Sequence, residues 1–217
     1  LFHGHESLSN STRDEWDIKW ETDTIYYHFE SDCEDILGFD NELKAFRLAA
    51  LAWTLATNLK IRQKRRDTAD AEIKIRWSDG IHDELFKKRP NVLAYAYYPS
   101  PGREIAGDIT FNDSHLWSLD GANVPAHYAD PDHYPVNSPV MMRTFDIQHT
   151  TTHELGHALG LKHSNNACPE CVMYLMYNGQ RNLQRNDRER IQKFYEKAST
   201  SEKIKKMLIG RIKGGVT

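Results

Sequence analysis

The stretch "HTTTHELGHALGLKHS" (residues 149–164) holds four of the chain's 11 histidines and one glutamate. Most of its other positions are small or apolar, as in a helix packed on one side. His153 and His157 are four apart, so at about 100° per residue they stand one turn apart on nearly the same face. Their imidazoles can meet one ion. A catalytic zinc takes three protein ligands and leaves its fourth place to water, so a third ligand is needed. Gly160, three residues after His157, can adopt a left-handed conformation, end the helix and turn the chain back, which brings His163 to the ion. Glu154 projects about 100° away from His153, placed to handle a proton of water rather than to hold the metal. The bland alternative is an amphipathic helix whose histidines face a polar loop. That accounts for a bare HExxH, but not for a glycine and a third histidine at the fixed offsets of HExxHxxGxxH.

Such a site needs a scaffold, and the flanking sequence supplies one. "TDTIYYHFE" (22–30) is β-branched and aromatic, a first strand. "DNELKAFRLAALAWTLATNLKI" (40–61) sets Leu43, Phe46, Ala50 and Trp53 at helical spacing behind an Asp or Asn cap, predicting a long amphipathic helix on a sheet. "AEIKIRW" (71–77) alternates as a strand, and "VLAYAYYP" (92–99) and "GDITFN" (107–112) are two more, separated by the turn-forming "SPGRE". Residues 118–141, with Pro125, Pro131, Pro135 and Pro139, form a long surface loop, of the length that is usually functional or mobile. Residues 144–160 make a second helix. "NDRERIQKFYEKA" (186–198) makes a third, with Ile191, Phe194 and Tyr195 on one face.

At 217 residues the chain suits one domain with short tails. A formal net charge of −3 suggests no nucleic-acid partner. No apolar run approaches the roughly 18 residues that span a bilayer, and no charged-then-apolar leader opens the sequence, although it starts at Leu1 rather than Met. Residues 1–17 are an unpatterned polar tail in which His3 and His5 are incidental. Residues 18–199 are expected to form the domain that carries this site, and 200–217 are a basic tail, read as a helix extension or linker before a membrane-surface role. Cys33, Cys168 and Cys171 leave at least one thiol without an intrachain partner. Asn10-Ser11-Thr12 and Asn112-Asp113-Ser114 fit the glycosylation acceptor pattern, which also arises often by chance.

With these residues in place, the chain resembles the catalytic domain of the matrixins, the matrix-metalloproteinase branch of the metzincins. Ser164 after His163 is similar to that branch. "CVMYLMYNG" resembles its "ALMYPxY", which puts Met173 rather than Met176 at the Met-turn. "LAYAYYPSPG" (93–102) is similar to "LAHAFxPGPG", and "GDITFNDSHLW" (107–117) to "GDAHFDxxExW". The resemblance runs over roughly residues 18–198. It implies an α/β (α+β) zincin-like fold, with a twisted, mostly parallel five-stranded sheet, three helices and an active-site cleft above a short C-terminal subdomain.

The resemblance also implies an activity, that of a zinc endopeptidase with His153, His157 and His163 as ligands, Glu154 as general base and Met173 beneath the metal. Zinc lowers the pKa of bound water from about 15.7 toward about 7 and polarises a carbonyl, which suits amide hydrolysis. A peptide-binding module that keeps the shell but no longer cuts is the alternative; its mark, loss of Glu154 or of a ligand, is absent here. By the same resemblance an extended substrate pairs with the edge strand at Leu93, Ala94 and Ala96. Leu175 and Tyr177 line a pocket for the residue after the scissile bond. His149 either reaches toward that pocket or faces solvent.

Several departures from the family pattern bear on metals and cysteines. The histidines of a second, structural zinc are replaced by Tyr95 and Thr110, so that site is expected to be missing; His82-Asp83 is either a remnant of it or a surface polar pair. Asp108 and Asp113 still offer oxygen to Ca2+. A Cys168–Cys171 disulfide, a link to Cys33 and free thiols remain open readings. No cysteine-switch motif is present. A secreted, monomeric protein acting on protein substrates is the expected setting.

Overall fold

A computed structural model describes residues 19–36, 39–64, 71–100, 102–125, 138–164 and 168–201. The tail at 1–17, the tip of the proline-rich loop (126–137) and residues 202–217 of the basic tail lie outside the described residues, as do His3, His5 and the Asn10 acceptor pattern.

Five strands form the main sheet in the order β2-β1-β3-β5-β4: β1 (Thr24–Phe29), β2 (Lys60–Gln63), β3 (Ile73–Ser78), β4 (Ala94–Ala96) and β5 (Ile109–Asn112). The first four in that order run parallel, and β4 lies antiparallel to β5 on the edge, with Tyr95 opposite Thr110. Alternation decides which side of the sheet is covered. Ile25, Tyr27 and Phe29 of β1 and Ile73, Ile75 and Trp77 of β3 are buried on the face that receives α1 (Phe39–Ala56). From α1, Leu43, Phe46, Ala50 and Trp53 all enter the core, as their spacing predicts. Each large side chain so buried is worth roughly 1.5–3 kcal/mol. Trp53 also ties α1 to the helix that carries the site, because its Nε1–H donates to Thr152 O at 2.8 Å.

The sequence places the end of α1 at residue 61, and the structure corrects this to Ala56. Thr57 donates both its N–H and its hydroxyl back to Trp53 O, and Asn58 N–H goes instead to Glu196 O. The released chain then pairs Ile61 with Ile25 as β2, so "KIRQ" is strand rather than helix. A β-branched residue inside a favourable register outweighs the helical pattern before it. The five-residue helix α2 (Glu84–Lys88) was not anticipated. Its cap Asp83 accepts from Leu85 N–H and Phe86 N–H, and it brings the described helices to four rather than three.

The proline-rich loop contains paired segments: β6 (Trp117–Ser118), β7 (Val124–Pro125) and β8 (Met141–Met142), the last two antiparallel. β6 runs parallel to β9 (Phe145–Asp146). That pairing delays the second long helix, α3, which spans Ile147–Ala158 rather than 144–160. The last helix, α4, spans Arg185–Phe194. Asn112 is fully buried and gives its amide to Pro90 O and Val92 O, which rules it out as a glycan acceptor in this fold.

Candidate active site

Nearly the whole of α3 is buried, polar positions included. Its N-terminus is capped by Asp146, whose carboxylate accepts from His149 N–H at 3.0 Å. The C-terminus closes as the sequence predicts. Gly160 has φ 108°, its N–H donates to His157 O (2.8 Å), and Leu161 N–H reaches Gly156 O (2.9 Å). This pair of bonds is the Schellman closure, which satisfies the last carbonyls and reverses the chain. His163 returns beside the two helical histidines.

The three imidazoles meet through their Nε2 atoms, 3.0 Å from His153 to His157 and 3.2 Å from His157 to His163. A backbone carbonyl can only accept. His153 Nδ1, at 2.7 Å from Val172 O, and His157 Nδ1, at 2.6 Å from Leu161 O, therefore carry the protons, and each Nε2 presents a lone pair. Lone pairs facing one another at these distances repel unless a cation lies among them. A tetrahedral zinc with bonds of about 2.0–2.1 Å needs its nitrogens roughly 3.3 Å apart, close to the spacing found, so the donor set fits zinc. Burial, with Arg190 nearby, holds His163 down to about 4, so it is neutral and able to ligate at ordinary pH. Among the described residues, the group of three or more ligating side chains close enough to hold an ion is this one.

Glu154 is fully buried beside the cluster, and burial pushes its carboxyl well above the usual carboxylate range. A dication at the histidines opposes that shift.

Beneath the helix lies Met173, fully buried, while Met176 is partly exposed. Met173 O accepts from Ser164 N–H at 2.7 Å, which links the turn to the residue after the third histidine. Asp187 of α4 accepts from Val172 N–H (3.0 Å) and Met173 N–H (3.2 Å). Sequence reasoning missed two contributors here. One is Asp187, whose partners are distant in the chain. The other is Gly156: a Cβ there would stand 2.2 Å from Met173 Sδ, so glycine lets the turn pass under α3 without displacing Met173.

The residues expected to meet substrate are placed as follows. Ala94 and Ala96 are buried in edge strand β4, and Leu93 is buried just before it. Tyr98, just beyond it, sets its ring edge-on to His157 at 6.1 Å. Leu175 is exposed, and the Tyr177 hydroxyl accepts from Asp146 N–H at 2.9 Å. His149 is not solvent-facing. It has no exposed surface, its ring meets Tyr177 edge-on at 4.8 Å, and its Nδ1–H donates to Gln180 O at 2.7 Å.

The positions compared with a second zinc site hold a hydrogen-bonded group. Tyr95 OH donates to Asp83 at 2.7 Å, and Arg76 Nε–H donates to the Thr110 hydroxyl at 3.1 Å. Asp83 is buried, which corrects the surface-pair reading, while His82 is exposed and bonded to Asp79. Asp108 accepts from Lys74 N–H at 2.8 Å, and burial raises both its carboxyl and that of Asp113. Cys168 and Cys171 form the disulfide, and Cys33 is a buried thiol.

The matrixin family model matches residues 19–196, from the strand before α1 to the end of α4. The chain belongs to the matrixin family. Among its curated relatives are karilysin of Tannerella forsythia, 28% identical over 78% of this chain and 31% of that protein, and the macrophage metalloelastase of Oryctolagus cuniculus, 31% identical over 73% of this chain and 28% of that one. Human matrix metalloproteinase-16 is 28% identical over 82% of this chain and 27% of its own length. This matrixin therefore spans about a third or less of the length of the relatives it matches. The five-stranded, mostly parallel sheet with helices packed on it is the matrixin catalytic fold.

Proposed function

We propose that the protein is a zinc-dependent endopeptidase acting on protein substrates bound in extended form. The observation that carries this reading is the convergence of three neutral imidazole nitrogens beside a buried carboxyl, in a chain of the matrixin family. A zinc ion held by His153, His157 and His163 supplies Lewis acidity toward a peptide carbonyl and toward water. Glu154 takes a proton from the attacking water and returns it to the departing amine, a role its raised carboxyl suits. The outer edge of β4 at Leu93, Ala94 and Ala96 offers backbone groups to the peptide and holds it straight. Leu175 and Tyr177 wall the pocket for the residue after the scissile bond. His149, anchored to Gln180 and Tyr177, fills its base, so small side chains are preferred there.

Residues 18–199 act as the catalytic domain in this reading, and the chain works as a secreted monomer. The Cys168–Cys171 bridge supports an oxidising compartment. Asp108 and Asp113 remain the proposed oxygen donors for Ca2+, tested by a calcium-dependent rise in melting temperature that Asp113→Asn abolishes. The decisive experiment for the function is Glu154→Ala. The variant is expected to keep about one zinc per chain and to lose at least about a hundredfold in kcat/KM, whereas a chelator abolishes cleavage by the parent. Full cleavage by Glu154→Ala refutes the assigned base.

A further inference from the structure

The disulfide between Cys168 and Cys171, whose Cα atoms are 5.3 Å apart, closes a loop that leads directly into the Met-turn. Hydrogen bonds connect this loop to the site in two directions. Next to Cys171, Val172 O accepts from His153 Nδ1 and so sets that ring's tautomer and aim. On the other side, Asn178 Nδ2 donates to Pro169 O and to Cys171 O, each at 2.8 Å. Asn178 Oδ1 accepts from Gln180 N–H at 2.9 Å, and Gln180 O accepts from His149 Nδ1. One chain of contacts ends on a metal ligand and the other on the base of the pocket.

A bridge over so short a loop contributes little as a staple. The gain from constraining the unfolded chain grows with the logarithm of loop length and is at its low end for a sequence separation of 3. Little folding free energy therefore holds this bond closed against an external thiol. The two residues also differ in access: Cys171 has no exposed surface, while Cys168, though largely buried, keeps 6% of its surface exposed.

We propose that Cys168–Cys171 is a redox modification site, exchanged by a small thiol, whose state sets zinc retention and the shape of the adjoining pocket. A glutathione-type thiolate attacks Cys168 Sγ, the bond between the two protein sulfurs breaks, and Cys171 leaves as a thiolate that takes a proton. A second thiolate attacks the outer sulfur of the mixed disulfide and releases Cys168. Two external thiols are oxidised to one external disulfide, and the protein disulfide is reduced to two thiols. Bonded sulfurs stand about 2.05 Å apart, whereas unbonded ones need roughly 3.5–4 Å. Opening the bond therefore pushes the packed loop outward and carries Val172 O and Cys171 O with it.

The zinc half of this proposal rests on the metal site put forward above, and the thiol half does not. Zinc-loaded protein is equilibrated across a series of reduced-to-oxidised glutathione ratios. Alkylation and mass spectrometry count open thiols, with a chromophoric chelator following zinc release and a peptide library following cleavage. The expected result is a gain of two alkylated thiols below the unfolding transition, accompanied by roughly tenfold faster zinc release, in line with the 10–100-fold cost of disturbing a ligand's hydrogen-bond partner. Reoxidation restores the original rate. The double variant Cys168→Ser, Cys171→Ser releases zinc at the fast rate whatever the glutathione ratio, which separates loop opening from chelation by the thiol. A bond that stays closed until the protein unfolds overturns the proposal, as does a reduced protein that holds zinc and cleaves as the oxidised one does. Redox-dependent zinc release without peptide cleavage in either state refutes the endopeptidase reading and leaves the switch intact.

Discussion

Replacing Gly156 by Ala tests whether the Met-turn is pressed against the ligand helix as tightly as the geometry indicates. The new Cβ would lie 2.2 Å from Met173 Sδ, 3.0 Å from Met173 Cε and 2.9 Å from Trp53 Cζ2. Nonbonded contacts settle at about 3.5–4.0 Å, so the sulfur must retreat by more than about 1 Å. Trp53 cannot yield, being fully buried and held to Thr152 O. Met173 is fixed at its N–H by Asp187 and at its carbonyl by Ser164. Overpacking of this kind costs about 1–3 kcal/mol, and the better helix propensity of alanine returns up to about 1 kcal/mol. The net expectation is a loss of about 1–2 kcal/mol, a fall in melting temperature of roughly 3–6 °C for a domain of this size. Zinc affinity should fall about tenfold, because the displaced turn includes the carbonyl that orients His153. Calorimetry and a competitive zinc titration measure the two effects. An alanine variant as stable as the parent with unchanged zinc affinity would show that Met173 is not confined.

Three further perturbations probe other parts of the molecule. Glu42, in the first turn of α1, is buried and accepts from Trp77 Nε1–H and Cys33 N–H, and burial pushes its carboxyl from 4.5 up to about 7. The folded state therefore holds the proton more tightly than the unfolded chain. The stability this contributes, about 3 kcal/mol, is complete below about pH 4.5 and is lost as pH rises through about 7. Urea unfolding from pH 4.5 to 8 should show this slope, and Glu42→Gln should flatten it; a variant with the parent's slope excludes Glu42 as its source. Tyr95→Phe removes the donor to buried Asp83 and should cost about 1–3 kcal/mol while leaving metal content unchanged; loss of a metal ion would contradict a metal-free network. His149→Ala should open the pocket base and extend cleavage to larger residues after the scissile bond, read from a peptide library, and an unaltered profile would remove His149 from the pocket.

The ligand set and the turn at Gly160 were readable because they depend on spacing within a dozen residues, where helix geometry leaves little freedom. The strands other than β2 and the core face of α1 followed from alternation and period. What escaped was long-range. Nothing near Gly156 signals that Met173 will pass beneath it, and nothing near Asp187 signals that its carboxylate will hold a turn 14 residues back. His149 could not be placed from its neighbours, since Tyr177 and Gln180 decide its burial. Helix α1 was drawn too long because propensity continues past Thr57, whereas the pairing of Ile61 with Ile25 ends it.

The distance in the chain between the ligands and the groups that brace them has a bearing on biosynthesis. His153, His157 and His163 arise within eleven positions, yet the end of their helix is fastened by Trp20 Nε1–H on Ala158 O and by Tyr195 OH on Leu159 O. Closing contacts of such separation is slow and comes late in folding. A chain still emerging from the ribosome, or truncated before Asp187, carries every ligand but lacks the carboxylate that holds the floor under them. Under the proposed function, hydrolytic competence arrives with the last helix rather than with the ligands themselves.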